Sequence, residues 1–302
     1  MHKQKSFTMV SAPALAIALS GILVPRQAAA LDEAHAYGIA NFGHAGECSS
    51  DTSLTHSVHT ETAQKFIDAF DDLIASGDWD QTDIHNNTAA RGSYFTDTTK
   101  AASCSCTADD MRSGYGVDEA DVMFVHTHGG HVTSTSSYLL TGSSSYDCYA
   151  YTNSNMYFNA SGAGDLDIAV VKACQSGDYN VFLAGGYRPQ LTDSGSSFTV
   201  WNAFHGDSSC GSHVKGYVSD YAKDSTFDGV GENWIDEAYD NAFWPWETDD
   251  CPVSIVMGST ESLADHMYTY GGWKDRENTG SKTSGWYYWV SGCAPTSGVV
   301  LP

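Results

Sequence analysis

Residues 121–126 (DVMFVH) form a short, nearly continuous apolar run that passes into Thr127-His128-Gly129-Gly130. Residues 167–172 (DIAVVK) form a second one, which passes into Ala173-Cys174-Gln175-Ser176-Gly177. Runs of this kind read as central strands of a parallel sheet covered on both faces. In such a sheet functional groups collect outside the carboxyl ends of the strands, and neighbouring strands lie about 4.8 Å apart. If these two strands are neighbours, the His128 imidazole and the Cys174 thiol come within reach of each other. An imidazole activates a thiol by taking its proton and can return that proton to a leaving amine, the minimum set for nucleophilic catalysis. Gly129 leaves its backbone N–H unobstructed, so with the N–H of Cys174 it could bind the developing oxyanion.

A metal centre competes for the same stretch. His126, His128 and His131 have the HxHxxH spacing found after a strand in metallo-β-lactamase-like hydrolases, where such histidines hold zinc and generate hydroxide. Gly130 stands where that pattern usually carries Asp, and further ligands would have to come from His205, Asp207, His213, Asp265 or His266. His126 also alternates with Phe124, which suits a packed, inward-facing histidine. Asp78–Asp83 (DWDQTD) lacks the sixth-position Gly and the closing Glu of an EF-hand, so a solvated turn is the better reading. Cys174 has a bland reading too, as a buried strand cysteine or half of a disulfide.

The elements that must position these residues alternate. Residues 36–42 read as a first strand. A helix follows, capped by Thr60, with Ala63, Phe66, Ile67, Phe70 and Ile74 on one face and Gly77 just past its end. A polar loop region runs to about Glu119. The Ser/Thr/Tyr-rich stretch 133–164 suits a loop with one helix or an edge hairpin, and 195–204 suits a strand or a helix start. Residues 232–243 suit a helix with Trp234, Ile235, Ala238 and Phe243 inward, and 253–258 a further strand. The expectation is one α/β domain over 31–302, a three-layer sandwich with a mostly parallel central sheet and helices on both faces.

An apolar strand ending in His128-Gly129, and a second ending in Ala173-Cys174, 46 residues on, resemble the caspase-like cysteine peptidases, a group that includes caspases, legumains, gingipains and clostripains. The order of elements also resembles an uncharacterised family of secreted bacterial proteins related to that fold. The motif match covers about residues 120–180. The resemblance implies peptide-bond hydrolysis with His128 as general acid/base, Cys174 as nucleophile, Gly129 as oxyanion donor and no organic cofactor. Lys172 falls where caspases place a residue lining the primary specificity pocket, so it is a candidate substrate contact. The sequence departs from the caspase pattern at Gln175-Ser176-Gly177, and specificity does not carry over. A catalytically silent secreted binding protein of the same fold remains an alternative.

The N-terminus supplies an address. Lys3 and Lys5, the apolar stretch 12–24 and the A-x-A pattern at Ala28 and Ala30 read as a signal peptide over 1–30, cleaved before Leu31 and directing the chain out of the cytoplasm. The apolar stretch is too short to span a bilayer. Removing it leaves 11 basic against 37 acidic residues, a net charge of −26. Nucleic acid and anionic membranes are therefore poor partners, since each phosphate contact needs a cation, and the expected partner is a peptide or protein substrate. In an oxidising compartment the eight cysteines should mostly pair. A catalytic Cys174 would leave an odd number, so a second thiol must then also be free.

Overall fold

The computed structural model describes residues 2–8, 32–40, 56–77, 79–103, 107–133, 135–142, 149–158, 164–187, 198–227, 229–240, 251–274, 282, 284–290 and 293. In chain order the first strands are β1 (His2–Thr8), β2 (Glu33–Gly38), β3 (Gln81–Asn86) and β4 (Val122–His126). Next come β5 (Gly129–Thr133), β6 (Ser136–Leu140), β7 (Tyr149–Tyr151) and β8 (Ile168–Lys172). The last are β9 (Val200–Phe204), β10 (Pro252–Gly258) and β11 (Ser284–Trp289). The helices are α1 (Val58–Ser76), α2 (Tyr179–Leu183), α3 (Val214–Asp224), α4 (Glu232–Asp240) and α5 (Glu261–Tyr270).

The two apolar runs are neighbours. β4 and β8 pair parallel and in register, from Val122 opposite Ile168 to His126 opposite Lys172, and every residue of both is buried. The central sheet has the order β1-β11-β10-β9-β8-β4-β2-β3. β3, β2, β4, β8 and β9 are mutually parallel, while β10, β11 and β1 continue the sheet antiparallel. Out of β2 the chain turns through α1 to β3 on one side, whereas β4, β8 and β9 step away on the other. The order therefore reverses between β2 and β4, the position beyond whose carboxyl ends open α/β sheets form their ligand crevice.

Side chains alternate across the sheet, as the pleat requires. On one face Val122, Phe124, Ile168 and Val170 meet Phe66 and Phe70 of α1, Tyr217 and Tyr221 of α3, Trp234 of α4 and Met267 of α5. Phe66 stacks on Phe124 with ring centroids 4.8 Å apart. On the other face Met123, Val125, Ala169 and Val171 meet Tyr94, Phe95, Leu139, Ala150, Tyr179 and Val181. The molecule is thus α/β and layered, but the long helices share one face. The second is covered by short 3-10 turns, the one-turn α2 and a small antiparallel sheet, β5-β6-β7.

Several expected boundaries move for identifiable reasons. The first strand is Glu33–Gly38 and starts earlier than the expected 36–42, of which residues 41 and 42 lie outside the described residues; past Gly38 the Ile39 N–H donates to His126 O at 3.0 Å. Helix α1 starts at Val58, with Ser57 as N-cap, and Thr60 lies in its first turn instead of capping it. Gly77 does close the helix, in the left-handed conformation at φ 80°. The polar region before Glu119 conceals β3. Its residues, QTDIHN, show no apolar alternation, because β3 is the sheet's outer strand and only its inner edge is paired. The 133–164 stretch supplies β6 and β7, and 195–204 supplies β9. β10 is antiparallel to β9. Residues 2–8 of the expected signal segment pair with β11; residues 9–31, with the proposed cleavage point, lie outside the described residues, as does Phe243.

Candidate functional site

At the carboxyl end of β4 the chain is held by backbone bonds: the Thr127 N–H donates to Lys172 O at 3.1 Å and the Leu140 N–H donates to His128 O at 2.9 Å. The latter bond makes the Gly129–Leu139 pair a non-hydrogen-bonded one, so the Gly129 N–H points away from β6. A Cβ on Gly129 would lie 2.6 Å from Cys174 O and 2.9 Å from the Ala173 side chain. Only glycine lets the two strand ends come this close. His128 and Cys174, each two residues beyond a register pair, therefore follow adjacent strand ends.

Cys174 sits on a sharp turn from β8 into α2. The turn passes through Gln175 at φ 55°, a left-handed conformation rare for a non-glycine residue. It is fixed from several sides. The Gln175 N–H donates to Gly206 O (2.6 Å) and the Gly177 N–H to Phe204 O (2.8 Å). Ser137 Oγ donates to Gln175 O (2.7 Å), Trp201 Nε1 to Ser176 O (3.0 Å), and Asp178 caps α2 by accepting from the Asn180 and Val181 N–H groups. Backbone strain of this kind, held by surrounding bonds, is typical of functional turns.

The Cys174 sulfur accepts the Ser208 N–H at 3.4 Å and is only partly buried. Burial pushes its thiol up from the ordinary cysteine range; Asp207 and Cys210 add to the rise, and the Ser208 N–H and Lys172 oppose it. Cys210 is the second free thiol among the described residues, which meets the parity that a free Cys174 requires. Cys251 and Cys293 form a disulfide. Cys48, Cys104, Cys106 and Cys148 lie outside the described residues.

Four imidazoles gather around this point. His56 and His59 come from the start of α1, and their rings stand 5.4 and 5.2 Å from that of His128. The His59 ring lies 4.1 Å from that of His126. His59 Nδ1 donates to Ile39 O at 2.6 Å, which leaves Nε2 as the acceptor for Cys210 Sγ at 3.3 Å. Burial holds His59 down to about pH 3 and His126 well below the usual histidine range, so both rings are neutral at neutral pH. Neither nitrogen of the fully buried His126 makes a hydrogen bond. His59, His126 and Cys210 present ligand atoms within 4.8 Å of one another, a set suited to zinc.

The group that could hold a metal is not the alternative set His126, His128 and His131 read from the sequence. Among the described side chains, His126 joins His59 and Cys210 rather than His128. His131 lies in β5 opposite Ser137, with its side chain outside the described set. His205 accepts the Tyr179 N–H, His213 bonds to Ser209, and Asp265 accepts from Tyr288. His266 stacks near Tyr270, so no second half of an HxHxxH site forms from these four.

Lys172 is fully buried. Its ammonium donates to Ser208 Oγ (2.8 Å) and Ser209 O (2.7 Å) and lies over the Phe204 ring. A lysine so engaged does not line a substrate pocket: it anchors the 206–210 loop that carries Cys210 and supplies the Cys174 hydrogen bond. The sequence reading missed His56, His59 and Cys210. His59 continues the apolar stripe of α1 (59, 63, 66, 70), and a histidine on such a stripe was the available signal. No family model, no curated protein and no solved structure matches this chain.

Proposed function

We propose that the protein is a secreted thiol-dependent peptidase of caspase-like type, with Cys174 as nucleophile and His128 as general acid/base. The observation that carries this reading is the in-register parallel pairing of β4 and β8, which delivers both groups to adjacent strand ends. These strand ends lie beside the reversal of strand order, where open α/β sheets bind ligands.

In the reaction, His128 takes the Cys174 proton as the sulfur attacks the scissile carbonyl. The tetrahedral oxyanion forms beside the N–H groups of Gly129 and Cys174. His128 then protonates the departing amine, leaving a thioester. Water, deprotonated by His128, hydrolyses that thioester and restores the thiol. Lys172 acts as a positioning residue through Ser208 and Ser209.

A second reading rests on His59, His126 and Cys210. Two neutral imidazoles and a sulfur would leave the fourth position of a tetrahedral zinc open to water, giving metal-assisted hydrolysis. The deciding experiment assays peptide-library cleavage by the mature chain and its Cys174→Ala and Cys210→Ala variants, with and without a chelator. The thiol reading expects Cys174→Ala to lose ~10⁶-fold in kcat, the size seen on removing a catalytic nucleophile, and chelation to change little. Activity surviving in Cys174→Ala rejects it. Loss on chelation and in Cys210→Ala favours the metal. No cleavage by any form would leave a silent binding protein of this fold.

A further inference from the structure

On the sheet face away from α1, toward the amino ends of the strands, a second group of ligating side chains converges. His35 is fully buried in β2. Its Nδ1 donates to Gly116 O at 3.1 Å, which fixes the tautomer and leaves Nε2 as a bare lone pair. That Nε2 makes no hydrogen bond. It faces carboxylate oxygens from three separate segments: Glu119 Oε2 at 3.6 Å, Asp83 Oδ2 at 3.7 Å and Glu33 Oε2 at 3.8 Å. Glu33 Oε2 is likewise buried without a hydrogen bond.

Asp83 Oδ2 accepts from Gln81 Nε2 (2.7 Å) and Glu119 Oε2 from the Gly114 N–H (2.9 Å), which leaves the His35 Nε2 lone pair and Glu33 Oε2 with no donor, a repulsion that a cation among them would relieve. Ligands 2.0–2.2 Å from a tetrahedral ion stand about 3.4 Å apart, close to the 3.6–3.8 Å from His35 Nε2 to each carboxylate, and the ligand atoms of Glu33, His35 and Glu119 all lie within 4.8 Å of one another, with Asp83 at the edge of the group.

We propose that Glu33, His35, Asp83 and Glu119 form a binding site for a divalent first-row transition cation of the Zn²⁺ or Mn²⁺ type. Imidazole among carboxylates favours these ions over Ca²⁺ and Mg²⁺, which prefer all-oxygen shells. The Gly116 carbonyl orients the histidine, as outer-shell acceptors do around metals. Asp83 and Glu119, with side chains 35% and 20% exposed, leave a route in from solvent. Such an ion would tie β2, β3 and the loop before β4 together, on the opposite face from His59, His126 and Cys210.

The test uses the full chain carrying Cys210→Ser, so that the other ligand set is disabled. After chelator treatment, Zn²⁺ or Mn²⁺ is added, and stoichiometry and thermal unfolding are measured. One tightly held equivalent and a raised Tm are expected, and Glu119→Gln in the same background should weaken binding by ~10–100-fold, the usual effect of losing a metal-site group. In chelator, Glu119→Gln should be at least as stable as its parent, because one repelling charge is gone. If Glu119→Gln folds poorly, Asp83→Asn at the more exposed edge gives the same readout. Absence of a metal-linked rise in the Cys210→Ser protein, or a rise unchanged by both substitutions, would overturn the proposal.

Discussion

Cys174 carries a thiol that burial makes a weaker acid, and it hydrogen-bonds to a backbone N–H. Its resting form is therefore neutral, and it becomes a nucleophile only when a base removes the proton. Alkylation of Cys174 by iodoacetamide, followed by mass spectrometry, should accelerate about tenfold per pH unit from pH 6 to 9, since the thiolate fraction grows tenfold per unit below the pKa. A flat profile across that range would indicate a preformed thiolate and a different electrostatic arrangement. The buried imidazoles carry a second expectation at this scale. His59 and His126 are depressed in the folded chain, so the unfolded chain binds more protons between the ordinary histidine value near 6.5 and the folded value, about 3 for His59. Their contribution to stability is complete above pH 6.5 and is lost as the pH falls toward 3. Asp110, fully buried and raised to about 7 mainly by burial, acts with the opposite sign: its contribution is complete below about 3.8 and is lost as the pH rises through 7. Urea unfolding should show His59→Gln flattening the acid-side loss, and Asp110→Asn stabilising the chain at pH 8 but not at pH 3.5.

The elements are joined where glycine permits contact. At Gly129 a Cβ would strike the Cys174 carbonyl, so Gly129→Ala must push the strand ends apart. A loss of about 1–3 kcal/mol in unfolding free energy is expected, the usual effect of overpacking, with a larger fractional fall in kcat than in stability if the Gly129 N–H binds the oxyanion. Gly38 plays a similar part at the end of β2, where a Cβ would lie 2.6 Å from the Thr60 backbone. That close approach seats the start of α1 against the sheet and brings His59 over His126. The central elements were legible because they are apolar and periodic: β4, β8, β10 and the stripe of α1 all stand close to where their patterns place them. β3 was not, since an outer strand with one apolar residue carries no hydrophobic period to read, while of the readings open for 133–164 the structure has the hairpin, β6 with β7. The candidate site divides along the same line. His128, Gly129 and Cys174 follow strands that announce themselves, whereas Cys210 sits in a loop whose place is set by Lys172 bonding to Ser208 and Ser209.

Across the whole molecule, two layers of unlike character enclose one sheet, and Cys251–Cys293 ties the start of β10 to the segment beyond β11. The bridge spans a sequence separation of 42 residues, and the chain-entropy relation gives about 4 kcal/mol for closing a loop of that size. Reduction, or Cys293→Ser, should lower the unfolding free energy by an amount of this order, measured by denaturant titration under non-reducing and reducing conditions. Cleavage before Leu31, as expected for an exported chain, would remove β1 and leave β11 as the sheet edge. The sequence by itself determined the α/β class of the fold and its central strands, because burial on both faces demands continuous apolar runs that are visible in one dimension. Only the tertiary structure decided which groups lie near His128 and Cys174. It drew His59 from a helix, Cys210 from a loop and His126 from a strand to one point, turned Lys172 inward, and brought Asp83 and Glu119 from distant segments to His35 and Glu33. Proximity between segments far apart in the chain depends on which faces the layers bury, and no local pattern encodes it.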